Sequence, residues 1–142
     1  MRYFLGISVV WIFLAAGVSA LWAEVIFIVN PSSTIQEADR TLIKEIFLGK
    51  ITKWPDGSDV NFVLSDEPDT HREFVRTYLR RNPGQFKNHW AKMLFSGKGR
   101  APRTYSPKSV IKFVAETKGA IGYVDTDKDA DLSTVKILNV AQ

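Results

Sequence analysis

The run of sequence that decides the fold class occupies positions 119–124 and reads Gly119-Ala120-Ile121-Gly122-Tyr123-Val124. Ala120–Val124 is a short apolar run that predicts a strand, and Gly119 ends the helix that precedes it. The residues before it form a helical pattern that opens at Ser106-Pro107 and repeats apolar side chains at Val110, Ile111 and Val114. A helix that leads directly into a buried strand is the repeating unit of α/β folds, so the segment predicts that class.

The same alternation extends over the whole chain from position 24 onward. Three further buried strands are predicted, at Val25–Val29, Val60–Leu64 and Val135–Val140. Helix starts are predicted at the capping-box spacings Thr34–Glu37 and Thr70–Glu73 and at the pair Asn82-Pro83. We therefore expect one three-layer α/β domain over residues 24–142, with a largely parallel sheet of about four strands and helices on both faces.

Residues 1–23 have the order of a signal peptide. Arg2 supplies a positive start, Leu5–Val18 is an apolar core, and small residues allow cleavage after Ala20 or after Ala23. The alternative is an uncleaved anchor, because Tyr3–Ala23 is uncharged and long enough to span a bilayer. In either case we expect an exported, periplasmic domain, which contacts the membrane only if the leader is not cleaved.

Composition excludes several functional classes. The chain has 142 residues, a net charge of +4 and no cysteine, so disulfides, thiol nucleophiles and cysteine zinc sites are ruled out. The charge is too mild to predict a nucleic-acid partner. The stretch Asp125–Asp131 alternates carboxylates like a calcium loop, but Ala130 and Lys136 stand where Gly and Glu are needed. We predict no metal, no cofactor and, because no nucleophile–base motif is present, no enzyme.

Two segments resemble a known family. Glu45-Ile46-Phe47-Leu48-Gly49-Lys50-Ile51-Thr52-Lys53-Trp54, followed by Asp56-Gly57, looks like the helix end and turn of the phosphate-binding proteins of ABC transporters. Gly119–Val124 looks like a late strand of the same proteins. The resemblance covers about Val25–Val140 and is closest to short members with a single lobe. It implies one lobe of a type 2 periplasmic binding protein, and phosphate or another small anion as the ligand.

The resemblance also indicates where such an anion would bind. In the family, a strand runs into an Arg and then a Ser-Gly-Thr at a helix start; here the matching stretch is Leu64–Thr70. The candidate ligand-binding residues are Ser65, Thr70, His71 and Arg72. Pro68 and Asp69 occupy the Ser-Gly positions and no Arg precedes them. Since Pro68 has no amide N–H to donate and the acidic residues Asp66, Glu67 and Asp69 already complement the helix dipole, we expect weak or no phosphate affinity.

Other interpretations stay open at this point. The chain could be an envelope interaction or structural protein that keeps the fold without binding phosphate, or a homodimer that rebuilds a two-sided cleft. The arginines Arg72, Arg76 and Arg80 form either a basic face or an ordinary solvated helix face. We expect an exposed loop over Phe95–Tyr105, and aromatic residues Trp54, Trp90 and Tyr123 in the core rather than on a carbohydrate platform.

Overall fold

A computed structural model describes residues 24–126 and 131–141. Six strands form one sheet in the order β2-β6-β1-β5-β3-β4. The strands are β1 Val25–Val29, β2 Glu37–Ala38, β3 Asn61–Ser65, β4 Arg103–Tyr105, β5 Ala120–Asp125 and β6 Lys136–Val140. The helices are α1 Arg40–Phe47, α2 Pro68–Phe74, which continues as a π-helical turn over Val75–Leu79, α3 Pro83–Phe95 and α4 Pro107–Glu116. The predicted α/β class is confirmed.

Two hydrophobic clusters place helices on both faces of the sheet. One cluster joins β1 and β5 to the first three helices, with Phe27, Phe47, Phe74 and Tyr123 at its centre. The other joins the opposite face of the sheet to α4 through residues such as Val110. The domain therefore has the three layers that the sequence predicts, and Trp54, Trp90 and Tyr123 are all buried core residues, as expected.

The sheet differs from the prediction in strand number and direction. All four predicted strands are present, but the short edge strands β2 and β4 bring the total to six. The pairings β2–β6, β3–β4 and β3–β5 are parallel, whereas β1 runs antiparallel to both β5 and β6. The crossover rule fixes the direction only of strands joined through a helix. The neighbours of β1 are instead the last two strands of the chain, so the sheet is mixed rather than largely parallel.

Two of the predicted helix starts are misplaced. The spacing at Thr34–Glu37 is not a helix start, because Gln36 accepts a backbone hydrogen bond from Asn139 and Glu37 begins β2. The actual cap of α1 is Asp39, whose carboxylate accepts from the Leu42 amide. Helix α2 begins at Pro68 with Glu67 as its cap, ahead of the predicted start at Thr70. Proline favours the first helical position, where it loses no hydrogen bond, so it sets this earlier start.

The predicted starts of α3 and α4 are confirmed, and the predicted loop after α3 is confirmed in part. Helix α3 begins at Pro83 with the capping box of Asn82 and Gln85, and α4 begins after Ser106 as predicted. The expected loop is exposed over positions 96–101, but its last three residues form the edge strand β4. Within residues 24–126 and 131–141, no helix is long and apolar enough to cross a bilayer. The predicted signal peptide lies outside these residues.

Candidate functional site

The candidate anion site lies where β3 ends and α2 begins. Strand β3 is paired in parallel on both sides, with β4 and β5, so its last residue reaches the carboxyl edge of the sheet. This edge is where α/β folds usually bind ligands. Ser65 is the last residue of β3 and is 2 % exposed; its hydroxyl oxygen accepts a hydrogen bond of 3.2 Å from the Glu67 amide. The strand thus fixes Ser65 two residues before the helix.

The start of α2 is filled by a carboxylate of the protein itself. One carboxylate oxygen of Glu67 accepts a 2.8 Å hydrogen bond from the Thr70 amide and another of 2.8 Å from the Thr70 hydroxyl. Thr70 is 1 % exposed, so both of its donors are enclosed with this oxygen. A carboxylate at this position also complements the positive end of the helix dipole. Both Thr70 donors, which an external anion at this helix start would use, are therefore already engaged within the chain.

His71 and Tyr123 form the inner wall of the same site. Nδ1 of His71 lies 2.6 Å from the Tyr123 phenolic oxygen, and the Tyr123 ring stacks on Phe74 with ring centroids 4.0 Å apart. Burial lowers the pKa of His71 below its ordinary value. Burial raises the pKa of Tyr123 far above its ordinary value, against a smaller lowering by a backbone hydrogen bond with Ser65. Both shifts favour the neutral forms, so a hydrogen bond between two uncharged groups joins the phenol to the imidazole.

The fourth predicted ligand residue is engaged elsewhere. Arg72 forms a 3.0 Å ion pair with Asp69, and both side chains are more than half exposed. The structure thus gathers Ser65, Thr70 and His71 around Glu67 and Tyr123, while Arg72 is tied to its own helix. On the same helical segment Arg76 pairs with Glu73 at 2.8 Å, so this basic face is partly neutralised.

Sequence reasoning missed two residues of this site. Tyr123 lies 52 positions after His71, and only the fold brings the two together. Glu67 is one of three acidic residues at this helix start, and the sequence analysis does not distinguish it as the helix cap. The signal that could have found it is the following Pro68, since proline at the first helical position marks the preceding residue as the cap.

The site combines the internally bonded cluster of Ser65, Glu67 and Thr70 with the partly buried His71–Tyr123 pair. In the described parts of the chain, no group of three or more His, Cys, Asp or Glu side chains could hold a metal ion. The calcium-like stretch Asp125–Asp131 falls partly outside those parts. The hydroxyl oxygens of Ser65, Thr70 and Tyr123 are buried, and each takes part in a hydrogen bond within the chain.

Comparison with known structures identifies the same fold in phosphate-binding proteins. The chain superposes on PstS from Borrelia burgdorferi with a TM-score of 0.63 at 17% identity, covering 84% of this chain and 48% of that one. It superposes on a phosphate-binding protein from Stenotrophomonas maltophilia with a TM-score of 0.59 at 18% identity, covering 83% and 39%. For an ABC-type phosphate transport receptor from Vibrio cholerae the TM-score is 0.56 at 12% identity, covering 83% and 46%.

These similarities show a shared fold and a difference in length. The chain spans about half or less of each of these three proteins, as expected for one lobe of a two-lobe binding protein. A comparison with curated protein sequences finds no match. A family model described as the PBP superfamily domain matches residues 16–141, which is most of the chain. The chain therefore belongs to the PBP superfamily, and its fold is that of a single lobe of a type 2 periplasmic binding protein.

Proposed function

We propose that the protein is an exported, non-enzymatic solute-binding module of the periplasm whose inherited anion site does not take up free phosphate. The observation that carries this proposal is the Glu67 carboxylate, which accepts from both donors of Thr70 at the start of α2. The export part rests on the signal-peptide pattern of residues 1–23. The binding part rests on the PBP fold and on the placement of Ser65 and Thr70 at the carboxyl edge of the sheet.

Charge and exposure both oppose a phosphate ion at this site. A phosphate would have to displace Glu67 from the Thr70 donors. The displaced carboxylate would then no longer cap α2, and its stabilisation of the helix start would be lost. Exposed Asp66 adds a further negative charge beside Glu67. Because the chain spans about half of its structural relatives, one lobe alone would also leave the ion half in water. Hydrogen bonds to an anion are weaker where water is not excluded.

The test is a thermal-unfolding series in phosphate. The unmodified protein should show the same midpoint in phosphate as in sulfate or chloride of equal ionic strength. Glu67→Ala removes the internal carboxylate, should cost about 1 kcal/mol of stability through the lost cap, and should gain a phosphate-dependent rise. A ligand at ten times its Kd stabilises the folded state by about 1.4 kcal/mol, so this gain is measurable.

Asp66→Ala is the matched control, because it removes an exposed carboxylate that is adjacent to Glu67 without removing the cap. It should leave the phosphate response flat. A midpoint of the unmodified protein that climbs with the logarithm of phosphate concentration, and not with sulfate, would overturn the proposal. Equal phosphate responses in Glu67→Ala and Asp66→Ala would show that charge alone, rather than the occupied helix start, controls binding.

A second candidate function is an interaction module of the envelope. The observation in its favour is Phe95, the last residue of α3, whose side chain is 95% exposed beside Leu94 at 43%. Exposed apolar side chains of this size mark interaction sites when they cluster. A photocrosslinking residue placed at position 95 should then yield a discrete adduct in the periplasm, and a chain that forms none would remove the support for this function.

A further inference from the structure

A second concave site lies at the opposite end of β3 from Glu67. It is an open groove of about 720 Å³ between the turn after α1, the first residues of β3, the end of α3 and the loop that leads into β4. Its size falls within the range of small-molecule pockets, about 300 to 1,000 Å³. Because the two sites are at opposite ends of the strand, the groove is independent of the function proposed above.

The floor of the groove is apolar and fixed. Phe62 and Trp90 contact each other with ring centroids 5.6 Å apart, and the Trp90 indole N–H donates to the Phe47 carbonyl at 3.1 Å. Gly49 lies against the same ring: a Cβ at this position would come within 2.7 Å of Trp90, and its φ of +75° favours glycine. The aromatic surface is therefore held in place before any ligand binds.

The rim of the groove is basic. Lys50, Lys98, Arg100 and Arg103 line it, all four are exposed, and none of its lining residues is an Asp or Glu. Among the residues that the structure describes, none of these four side chains forms an ion pair, whereas Lys53, Arg72 and Arg76 each do. Arg103 lies over the Phe113 ring at 5.8 Å. Cations gathered without counter-charges raise the local potential and attract an anion.

We infer that this groove binds a small organic anion with an apolar body, that is, an aromatic or aliphatic skeleton carrying a carboxylate, sulfonate or phosphate group. The basic rim would pair with the charged group through charge-assisted hydrogen bonds. The Phe62–Trp90 floor would bury the apolar body. An inorganic ion would use only the rim and a neutral hydrophobe only the floor, so neither matches the groove as a whole.

The probe for this test is 8-anilinonaphthalene-1-sulfonate, with the neutral analogue N-phenyl-1-naphthylamine for comparison. The sulfonate should bind with a saturable isotherm in calorimetry, and more tightly than the neutral analogue. It should shift the Trp90 indole N–H resonance in NMR spectra and leave that of Trp54, which does not line the groove, in place. The Trp54 indole donates instead to the Gly119 carbonyl.

Two double variants separate the groove from general electrostatics. Lys98→Ala with Arg100→Ala should weaken sulfonate binding about tenfold, which corresponds to about 1.4 kcal/mol. Lys108→Ala with Lys112→Ala removes the same charge from exposed positions on α4 outside the groove, and should change the affinity less than twofold. Cooperative urea unfolding of each variant checks that it is folded. Lys50→Gln gives a second test at a position outside the 98–100 loop.

Three results would overturn the inference. One is the lack of saturable sulfonate binding by the unmodified protein. Another is equal affinity for the sulfonate and its neutral analogue. The third is an equal loss of affinity in the two double variants, which would mean that overall charge rather than the groove attracts the probe. None of these results depends on whether Glu67 excludes phosphate at the other end of β3.

Discussion

The two ends of β3 treat their polar groups in opposite ways. At the carboxyl end, Ser65, Glu67 and Thr70 satisfy one another, and His71 is bonded to Tyr123. At the amino end, the basic rim of the groove faces solvent without ion pairs among the described residues. Groups that are satisfied within the chain stabilise the fold, whereas unpaired surface charges contribute little to it and remain available for a ligand. The end where the family resemblance predicts a ligand is thus the more closed of the two.

The largest expected contrast between the two ends comes from truncating an aromatic ring at each. Tyr123→Ala removes a buried ring that stacks on Phe74 and contacts Phe27 and Phe47, so it should cost about 4 kcal/mol. Phe113→Ala, at the half-buried wall of the groove, should cost about 1 kcal/mol. Urea unfolding followed by circular dichroism measures both. Equal losses would contradict the view that the carboxyl end is the more tightly packed of the two.

A smaller contrast comes from removing one hydroxyl at each end. Thr70→Val keeps the shape of the side chain but takes one donor from the partly buried Glu67 oxygen, and should cost about 1 to 2 kcal/mol. Thr52→Val removes an exposed hydroxyl at the groove and should stay within about 0.5 kcal/mol of the unmodified protein. The same urea titration compares them. If Thr70→Val left the free energy of unfolding unchanged, the Thr70 amide alone would be sufficient to hold Glu67 in place.

Local sequence patterns predict those strands and helices whose own residues carry the signal, such as an apolar run or a capping pair. The continuous apolar runs of β1, β3, β5 and β6 and the Asn82-Pro83 start of α3 are visible without tertiary structure. The edge strands are not, because a two- or three-residue strand exists only through its partner. Glu37–Ala38 is a strand because β6, about 100 positions later, lies beside it. Its capping-box spacing therefore predicted a helix start that the fold does not use.

The residues of the candidate site also divide into those that a local pattern predicts and those that only the fold brings together. Ser65, Thr70 and His71 are neighbours in sequence, so the strand-to-helix junction predicts that they lie together. Tyr123 joins them only because β3 and β5 are paired, and no local pattern encodes that contact. The groove is equally non-local: the Ser96–Arg100 segment has the pattern of an exposed basic turn, and only the fold brings Lys50 and Phe62 beside it.

The His71–Tyr123 pair, at the carboxyl end of β3, predicts that the stability of the fold depends on pH. Because burial lowers the pKa of His71 in the folded state, the unfolded chain binds a proton at higher pH than the folded chain does. The contribution of His71 to stability is complete above the unfolded-state pKa of about 6.5 and is lost as the pH falls from there toward the lowered folded value. The slope from one proton is at most about 1.4 kcal/mol per pH unit.

His71→Gln should flatten the stability profile below about pH 6.5, as measured by urea unfolding at a series of pH values. His89→Gln is the matched control, since it removes the other histidine, whose Nε2 lies 2.8 Å from the Leu48 carbonyl oxygen. Comparison of the two variants shows whether a change of slope is specific to the histidine that contacts Tyr123. If the unmodified protein and His71→Gln had identical profiles, the His71–Tyr123 pair would not control how stability falls at acidic pH.

The smallest expected effect on stability belongs to the basic rim. Lys98→Ala with Arg100→Ala removes two exposed cations that pair with no described residue, so the free energy of unfolding should change by less than about 0.5 kcal/mol. A slight gain would fit the removal of like charges that lie close together. The control is Lys53→Ala, which breaks an exposed 2.7 Å ion pair with Asp59 and should cost up to about 1 kcal/mol. If the rim variant lost more than the Lys53 variant, the loop at positions 98–100 would be part of the structural framework. Its cations would then serve the fold rather than a ligand, and the distinction between the two ends of β3 would no longer hold.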